Sequence, residues 1–235
     1  RSYIMQTDVD SLLWNRLINS AQLAGFTFLI VILLAIPIGT IAAVGRDTWI
    51  DTLFSLGAYV GLSLPNFVVG ILLILVLAGP VFEIFPSGGR VPLSEGVVEW
   101  LRHMILPTIS LLLVVTAHVM RQTRSSMIEA LQSDYVRTAR LKGLSKWEVV
   151  VKHALRNGLL PAITVLALNL GYLMGGIVVV EEVFSYPGVG RLVVRAITNR
   201  DLPVIQAAVL IIVALYSFAH FAAAIIYTYL DPRIE

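Results

Sequence analysis

Cysteine is absent from this 235-residue chain, which excludes disulfides, thiolate metal sites and a cysteine nucleophile. Charge is scarce as well: Asp, Glu, Lys and Arg make up 14% of the residues, against about 25% in a typical soluble domain. With a net charge of only +2, nothing points to nucleic acid as a partner. The histidines stand at no metal-ligand spacing of the H-E-x-x-H kind. No phosphate-binding G-x-x-x-x-G-K-[ST] loop occurs, since Lys142-Gly143 lacks a preceding glycine-rich turn. Gly188-Val189-Gly190 follows an apolar run too long for a buried strand, which removes a dinucleotide fingerprint. Ser125-Ser126 has no matched base. The sequence therefore offers no catalytic residue, no metal site and no cofactor of its own.

What the chain has in excess is apolar sequence, 57% of its residues. It lies in runs of about 20 residues, the length a helix needs to cross about 30 Å of hydrocarbon. The runs cover roughly Gln22–Val44, Leu53–Ala78, Met104–Met120, Leu159–Val180 and Val204–Leu230. Lipid offers no partner for free N–H and C=O groups, so each run must be helical. The expected fold is all-α: a polytopic helical membrane protein in which residues 1–20 form an extracytoplasmic segment and 21–235 a single transmembrane domain.

Basic residues set the orientation. Arg121, Arg124, Arg137, Arg140, Lys142, Lys146, Lys152 and Arg156 fall in one connection, opposed only by Glu129, Asp134 and Glu148. This loop, 121–158, is expected in the cytosol. Residues 80–103 and 181–203 balance their charges and read as exterior. Alternation then puts the Arg46 turn and the C-terminal tail inside and Arg1 outside. A chain first met outside implies an earlier crossing, so six spans are expected in the intact protein, five of them here.

Several features interrupt the spans. Pro65 breaks the second, with Asn66 beside it at membrane depth. The pair either lines a pathway or forms a packing kink in which Asn66 bonds freed backbone. Gly57-x-x-x-Gly61 and Gly171-x-x-x-Gly175, extended by Gly176, have the spacing of close helix contacts. His118 and His220 are either proton-relay groups or neutral, hydrogen-bonded histidines. The lack of an acidic residue within the last three spans argues against a relay.

The basic loop carries the most information. Ser133 or Asp134 can cap a short helix through Lys142, and Gly143 is placed to end it in a left-handed conformation. Ser145-Lys146-Trp147-Glu148 is a capping box that starts a second helix, expected to run to about Asn157 and close at Gly158. Tyr135, Val136, Ala139 and Leu141 stand among Arg137, Arg140 and Lys142. An aromatic anchor rimmed by cations suits a protein groove. Plain attraction to acidic headgroups of membrane lipid is the alternative. On the exterior side, Glu181-Glu182-Val183-Phe184-Ser185-Tyr186-Pro187-Gly188 reads as a turn with two aromatic interface anchors. Its Glu181 and Glu182 are candidates for an outer gate or a partner contact, the alternative being a packed connection.

The string DYVRTARLKGLSKWEVVVKHALRN, Asp134 to Asn157, resembles the cytosolic coupling motif of binding-protein-dependent ABC importer permeases, closest to the dipeptide, oligopeptide and nickel branch. GLSLPNF from Gly61, HMILPTISLLL from His103, RQTRSSMIEAL from Arg121, VVVEEVFSYPGVGRL from Val178 and RDLPVIQAAVL from Arg200 resemble the same branch. The likeness runs from about residue 20 to the end. The broader family's Glu-Ala-Ala triplet falls on Arg137-Thr138-Ala139, without the glutamate. Its Ile-x-Leu-Pro falls on His153-Ala154-Leu155-Arg156, without the isoleucine and proline.

The resemblance implies the type I importer permease fold and a translocation subunit in a bacterial or archaeal cytoplasmic (inner) membrane. It implies a second, homologous permease, two cytosolic ATPases that bind the ATP and Mg, and an extracytoplasmic solute-binding protein. The ATPase-coupling segment would be Asp134, Tyr135, Val136, Arg137, Thr138, Ala139, Arg140, Leu141, Lys142, Gly143 and Leu144. Pathway or gate candidates are Pro65, Asn66, Glu181 and Glu182. The expected solutes are di- or oligopeptides; nickel or another small solute is the alternative. A stand-alone secondary transporter would need polar groups near the midplane, which these spans lack.

Overall fold

The computed structural model describes residues 6, 8–80 and 82–230, with side chains at all of these except 223 and 226–230. Arg1 and the tail beyond Leu230, whose sides of the membrane the charge pattern predicts, lie outside the described residues. Among the described residues every regular element is a helix. They are α1 (Val9–Val44), α2 (Trp49–Ser63), α3 (Asn66–Leu73), α4 (Val97–Gln132), α5 (Asp134–Leu141), α6 (Lys146–Glu148), α7 (Leu155–Gly158), α8 (Leu160–Val183), α9 (Val189–Thr198) and α10 (Leu202–Leu230). A π turn, Ile74–Ala78, extends α3, and a second, Val149–Ala154, joins α6 to α7.

Helices α1, α4, α8 and α10 are long and apolar enough to cross a membrane; α2 and the α3 segment reach that length only together, as a sharply bent pair. The break falls at Leu64-Pro65. Pro65 is the N-cap of α3 with extended backbone (φ −62°, ψ 140°), so the proline ends one helix and starts another instead of kinking a single rod. Pro37 and Pro107, by contrast, are carried inside α1 and α4.

Two helices outrun their apolar segments. Helix α1 begins at Val9, about three turns before Gln22. Those turns look polar in composition, yet Leu13 is buried in a cluster with Val189, Leu192, Ala196, Val204 and Ala208, and Leu17 packs against it. Helix α4 continues past Met120 to Gln132, so the first twelve residues of the basic loop are helix. There Thr123, Ser126, Met127 and Ala130 are all buried. Their i, i+3, i+4, i+7 spacing is one face of a helix, hidden in the sequence by the arginines and serines between them.

The chain forms two compact units. One comprises Arg1–Leu29, Leu64–Leu112 and Gly171–Ala219; the other comprises Ile30–Ser63, Leu113–Leu170 and His220–Glu235. In the first, Phe184 and Tyr186 are fully buried, and Phe26 meets Trp100 edge to face with centroids 5.1 Å apart. The interface-anchor reading of Phe184 and Tyr186 is thus corrected: both are core residues. In the second unit, Ala43, Met127, Ala130, Val136, Ala139, Val149, Val150 and Ala154 form one cluster. The glycine spacings are half realised. Gly61 stands close to the Leu113 carbonyl and Gly176 to Asn66 and Leu111, whereas Gly57 and Gly175 face open space.

Candidate functional site

The basic hairpin lies wholly in the second unit. Helix α5 is amphipathic, with Val136 and Ala139 buried three residues apart and Tyr135, Arg137, Thr138, Arg140 and Leu141 exposed. Ser133 is its N-cap by backbone, but the serine hydroxyl donates back to the Ala130 carbonyl at 2.6 Å and caps no amide of α5. Thr138 Oγ1 likewise donates to the Asp134 carbonyl. Lys142 ends the helix, and Gly143 follows with φ +77°, in the left-handed region that an L side chain enters only at a cost. Leu144 turns back onto the cluster that holds Val136 and Ala139.

The capping box forms as the sequence predicts. Ser145 Oγ accepts from the Glu148 amide, and the Glu148 carboxylate accepts from the Ser145 amide at 3.2 Å. Beyond it the second helix departs from expectation. It passes through the π turn and α7 to Leu159, which remains right-handed (φ −82°), and α8 starts one residue later. Gly158 therefore does not close the helix. Its hydrogen admits Met127, whose sulfur would stand 2.7 Å from a Cβ there.

Hydrogen bonds from the Ser145 hydroxyl and amide, then from Lys152, hold the Glu148 carboxyl below the ordinary carboxylate range. A carboxyl whose folded-state pKa is depressed contributes stability above its unfolded-state pKa, and loses it as pH falls through the folded-state value. The protection factors of amides 145–149, taken relative to intrinsic exchange at each pH, are therefore expected to fall on acidification through and below the carboxylate range. Glu148→Gln should make those protection factors insensitive to pH. A wild-type hairpin whose protection is flat across this range would contradict the capping role.

Helices α4 and α2 are tied together by a pair that the sequence does not reveal. Arg124 of α4 forks Asp51 of α2, with Nε–Oδ1 at 2.5 Å and an Nη–Oδ2 bond at 2.6 Å. Asp51 is 5% exposed and also accepts from the Asp47 amide and the Ser55 hydroxyl. One turn away, Arg121 lies over the Tyr59 ring at 5.1 Å. In the sequence alone Arg121 and Arg124 read only as topology charges. The signal available was Asp51 itself, an acid in the first turn of an apolar helix.

The gate candidates do not form one site. Pro65 is exposed, and Asn66 is half-buried with its Nδ2 against Gly176 and its Oδ1 buried without a partner among the described residues. Glu181 is fully buried in the first unit. Ser20 Oγ donates to its Oε1 at 2.5 Å, the Arg191 amide donates to Oε2 at 3.1 Å, and the Gly190 amide also donates to the carboxylate. Ser20 in turn accepts from the Val189 amide at 2.9 Å. Glu181 thus anchors the first turn of α9, whose orphan amides need acceptors. Glu182 is half-exposed, with Arg191 Nε at 3.7 Å. Arg191 also bonds Ser185 through its carbonyl and hydroxyl. Tyr186 donates to the Asn19 carbonyl, and burial pushes its hydroxyl up to about 12. His118 has Nδ1 3.1 Å from Asn169 Oδ1, which fits the hydrogen-bonded reading.

Apolar helices of spanning length and a capped basic hairpin define a multi-pass membrane protein with a shaped extramembrane element. The family described as "Binding-protein-dependent transport system inner membrane component" matches residues 35–235. A putative peptide transport system permease protein of Brucella abortus (strain 2308) is 40% identical over 235 residues, 100% of this chain and 74% of that protein. The oligopeptide transport system permease protein AppB of Bacillus subtilis (strain 168) is 38% identical over 231 residues, 97% of this chain and 73% of its own. Among solved structures, inward-facing conformations of the MetNI methionine ABC transporter share the fold, with a TM-score of 0.74 at 15% identity over 94% of this chain and 96% of that one. The chain belongs to the binding-protein-dependent transport system inner membrane components: it is a permease, a multi-pass translocation component of the inner membrane.

Proposed function

We propose that the chain is a pore-forming subunit of an ATP-driven importer of di- or oligopeptides, and that its hairpin is the handle by which an ATPase moves it. The observation that carries the reading is the division of α5 into two faces. Val136 and Ala139 are welded into the core, while Tyr135 is 40% and Leu141 81% exposed. A helix held that firmly on one side transmits displacement of the other. Exposed Tyr135 and Leu141, rimmed by Arg137, Arg140 and Lys142, have the aromatic-plus-cation character of a docking centre.

On this reading residues 121–158 face the cytosol and residues 181–203 the exterior. Two ATPase subunits bind ATP and Mg and close on the hairpins of this chain and of a second, homologous permease. An extracytoplasmic binding protein delivers the solute. The ATPases shift the permease between two accesses only by their differential affinity for them. Peptide as the solute follows from the relatives, whose names specify peptide and oligopeptide transport.

The test is reconstitution with the partner subunits and binding protein, measuring peptide-stimulated ATP hydrolysis and uptake. Tyr135→Ala is expected to lower peptide-stimulated hydrolysis about tenfold, the effect of removing an interface hot spot, while the protein still inserts and melts like wild type. Val136→Asp, aimed at the buried face, should instead fail to fold. Peptide uptake driven by an ion gradient in ATP-free vesicles would overturn the assignment.

A further inference from the structure

The second unit holds a polar pocket that the hairpin does not use. Its volume is about 380 Å³, and it is lined by His118, Arg121, Gln122 and Ser125 of α4 with Val165 of α8. That size falls within the range of small-molecule sites, about 300–1,000 Å³. The four α4 residues are spaced i, i+3, i+4, i+7, so they form one stripe of the helix. The rest of this stretch is packed: Ala117, Val119, Met120, Thr123 and Ser126 are all buried. On this otherwise packed stretch His118, Arg121 and Ser125 stand exposed, so the polar stripe is open to a solute.

The stripe is built to present a cation. Tyr59 holds the Arg121 guanidinium at 5.1 Å over its ring face. That cation–π contact restrains the side chain and leaves its N–H edges unspent. The neighbouring carboxylate is already taken, because Asp51 is forked by Arg124. Among the described residues Arg121 has no ion-pair partner, so it stays an uncompensated charge at the pocket wall. One turn before Arg121 on the same stripe, the His118 ring lies against Asn169, whose Nδ2 donates to the Val165 carbonyl at 2.8 Å. A restrained guanidinium with free edges is the geometry that forks a carboxylate.

We propose that this pocket is a solute subsite in which Arg121 receives the terminal carboxylate of a peptide on its way through the permease. The inference rests on the peptide reading above and adds the group recognised and the residue that recognises it. Tyr59 is the positioning residue and Arg121 the contact.

The experiment uses the complete transporter in nanodiscs, free of nucleotide and of binding protein. Equilibrium binding of trialanine is compared with that of trialanine amide, which differs only in lacking the carboxylate. Wild type is expected to bind the acid at least about tenfold more tightly than the amide, the discrimination of a charged hydrogen bond. Arg121→Gln should bring acid and amide to the same affinity. Arg121→Lys should keep part of the preference as a point charge, and Tyr59→Leu should weaken acid binding without abolishing the preference. Equal binding of acid and amide by wild type, no binding of either, or a preference that survives Arg121→Gln would overturn the subsite. Peptide uptake by the same preparation with binding protein and ATP is measured alongside. If uptake is normal while the binding arm fails, only the subsite falls; if no peptide is taken up, the peptide reading falls first.

Discussion

Asp51→Ala is expected to destabilise the permease by about 3–5 kcal/mol, the cost of removing one partner from a buried ion pair. The carboxylate it deletes receives two bonds from Arg124 and one each from Asp47 and Ser55. Alanine leaves a guanidinium 28% exposed on its side chain with no anion to fork. It also frees the α2 N-terminal turn, where an acid is favoured by the helix dipole.

The effect belongs to the pair and not to either charge. Arg124→Met alone strands a buried carboxylate and should cost a similar amount. The double variant Asp51→Ala/Arg124→Met strands neither, so it should recover at least about 1–2 kcal/mol relative to the sum of the singles. The measurement is unfolding of the purified chain in mixed micelles, read by loss of helical circular dichroism. Additive costs would show that the two residues act independently and that the fork is incidental.

The spans were legible because lipid-spanning length and apolar composition are local properties, carried by each segment alone. Gly143 and the Ser145 capping box were legible for the same reason: each is a backbone requirement met within four residues. What escaped was long-range or amphipathic. The first turns of α1 were unreadable because Leu13 acquires its partners, Val189 and Leu192, only across more than 170 residues of sequence. The last third of α4 reads as loop because its buried stripe is spelled with Thr123 and Ser126 as well as Met127 and Ala130. Charge counting also blurred the arginines. By number Arg121, Arg124 and Arg137 are alike, yet one stacks on Tyr59, one forks Asp51 and one lies exposed on the hairpin. Phe184 and Tyr186 were misjudged because an aromatic near the end of a span suits either an interface belt or a core, and only the fold decides.

Glu181 and Gly188 make the second strong prediction, because each is there for the other. A Cβ on Gly188 would stand 1.9 Å from Glu181 Oε1 and 2.1 Å from its Cδ. The carboxylate cannot swing away without surrendering Ser20 and the Gly190 and Arg191 amides. Gly188→Ala should therefore cost about 3 kcal/mol, at the severe end of overpacking. Glu181→Ala should cost a similar amount, about 3 kcal/mol, by leaving those buried donors without an acceptor. The two changes relieve one another: with alanine at 181 the atoms that the Gly188 methyl would strike are gone. The double variant should then be no less stable than Glu181→Ala alone to within about 1 kcal/mol, far short of the sum. Thermal unfolding of the four proteins in one detergent measures this directly. A double variant as destabilised as the two singles added together would mean that α9 is anchored by something other than this carboxylate.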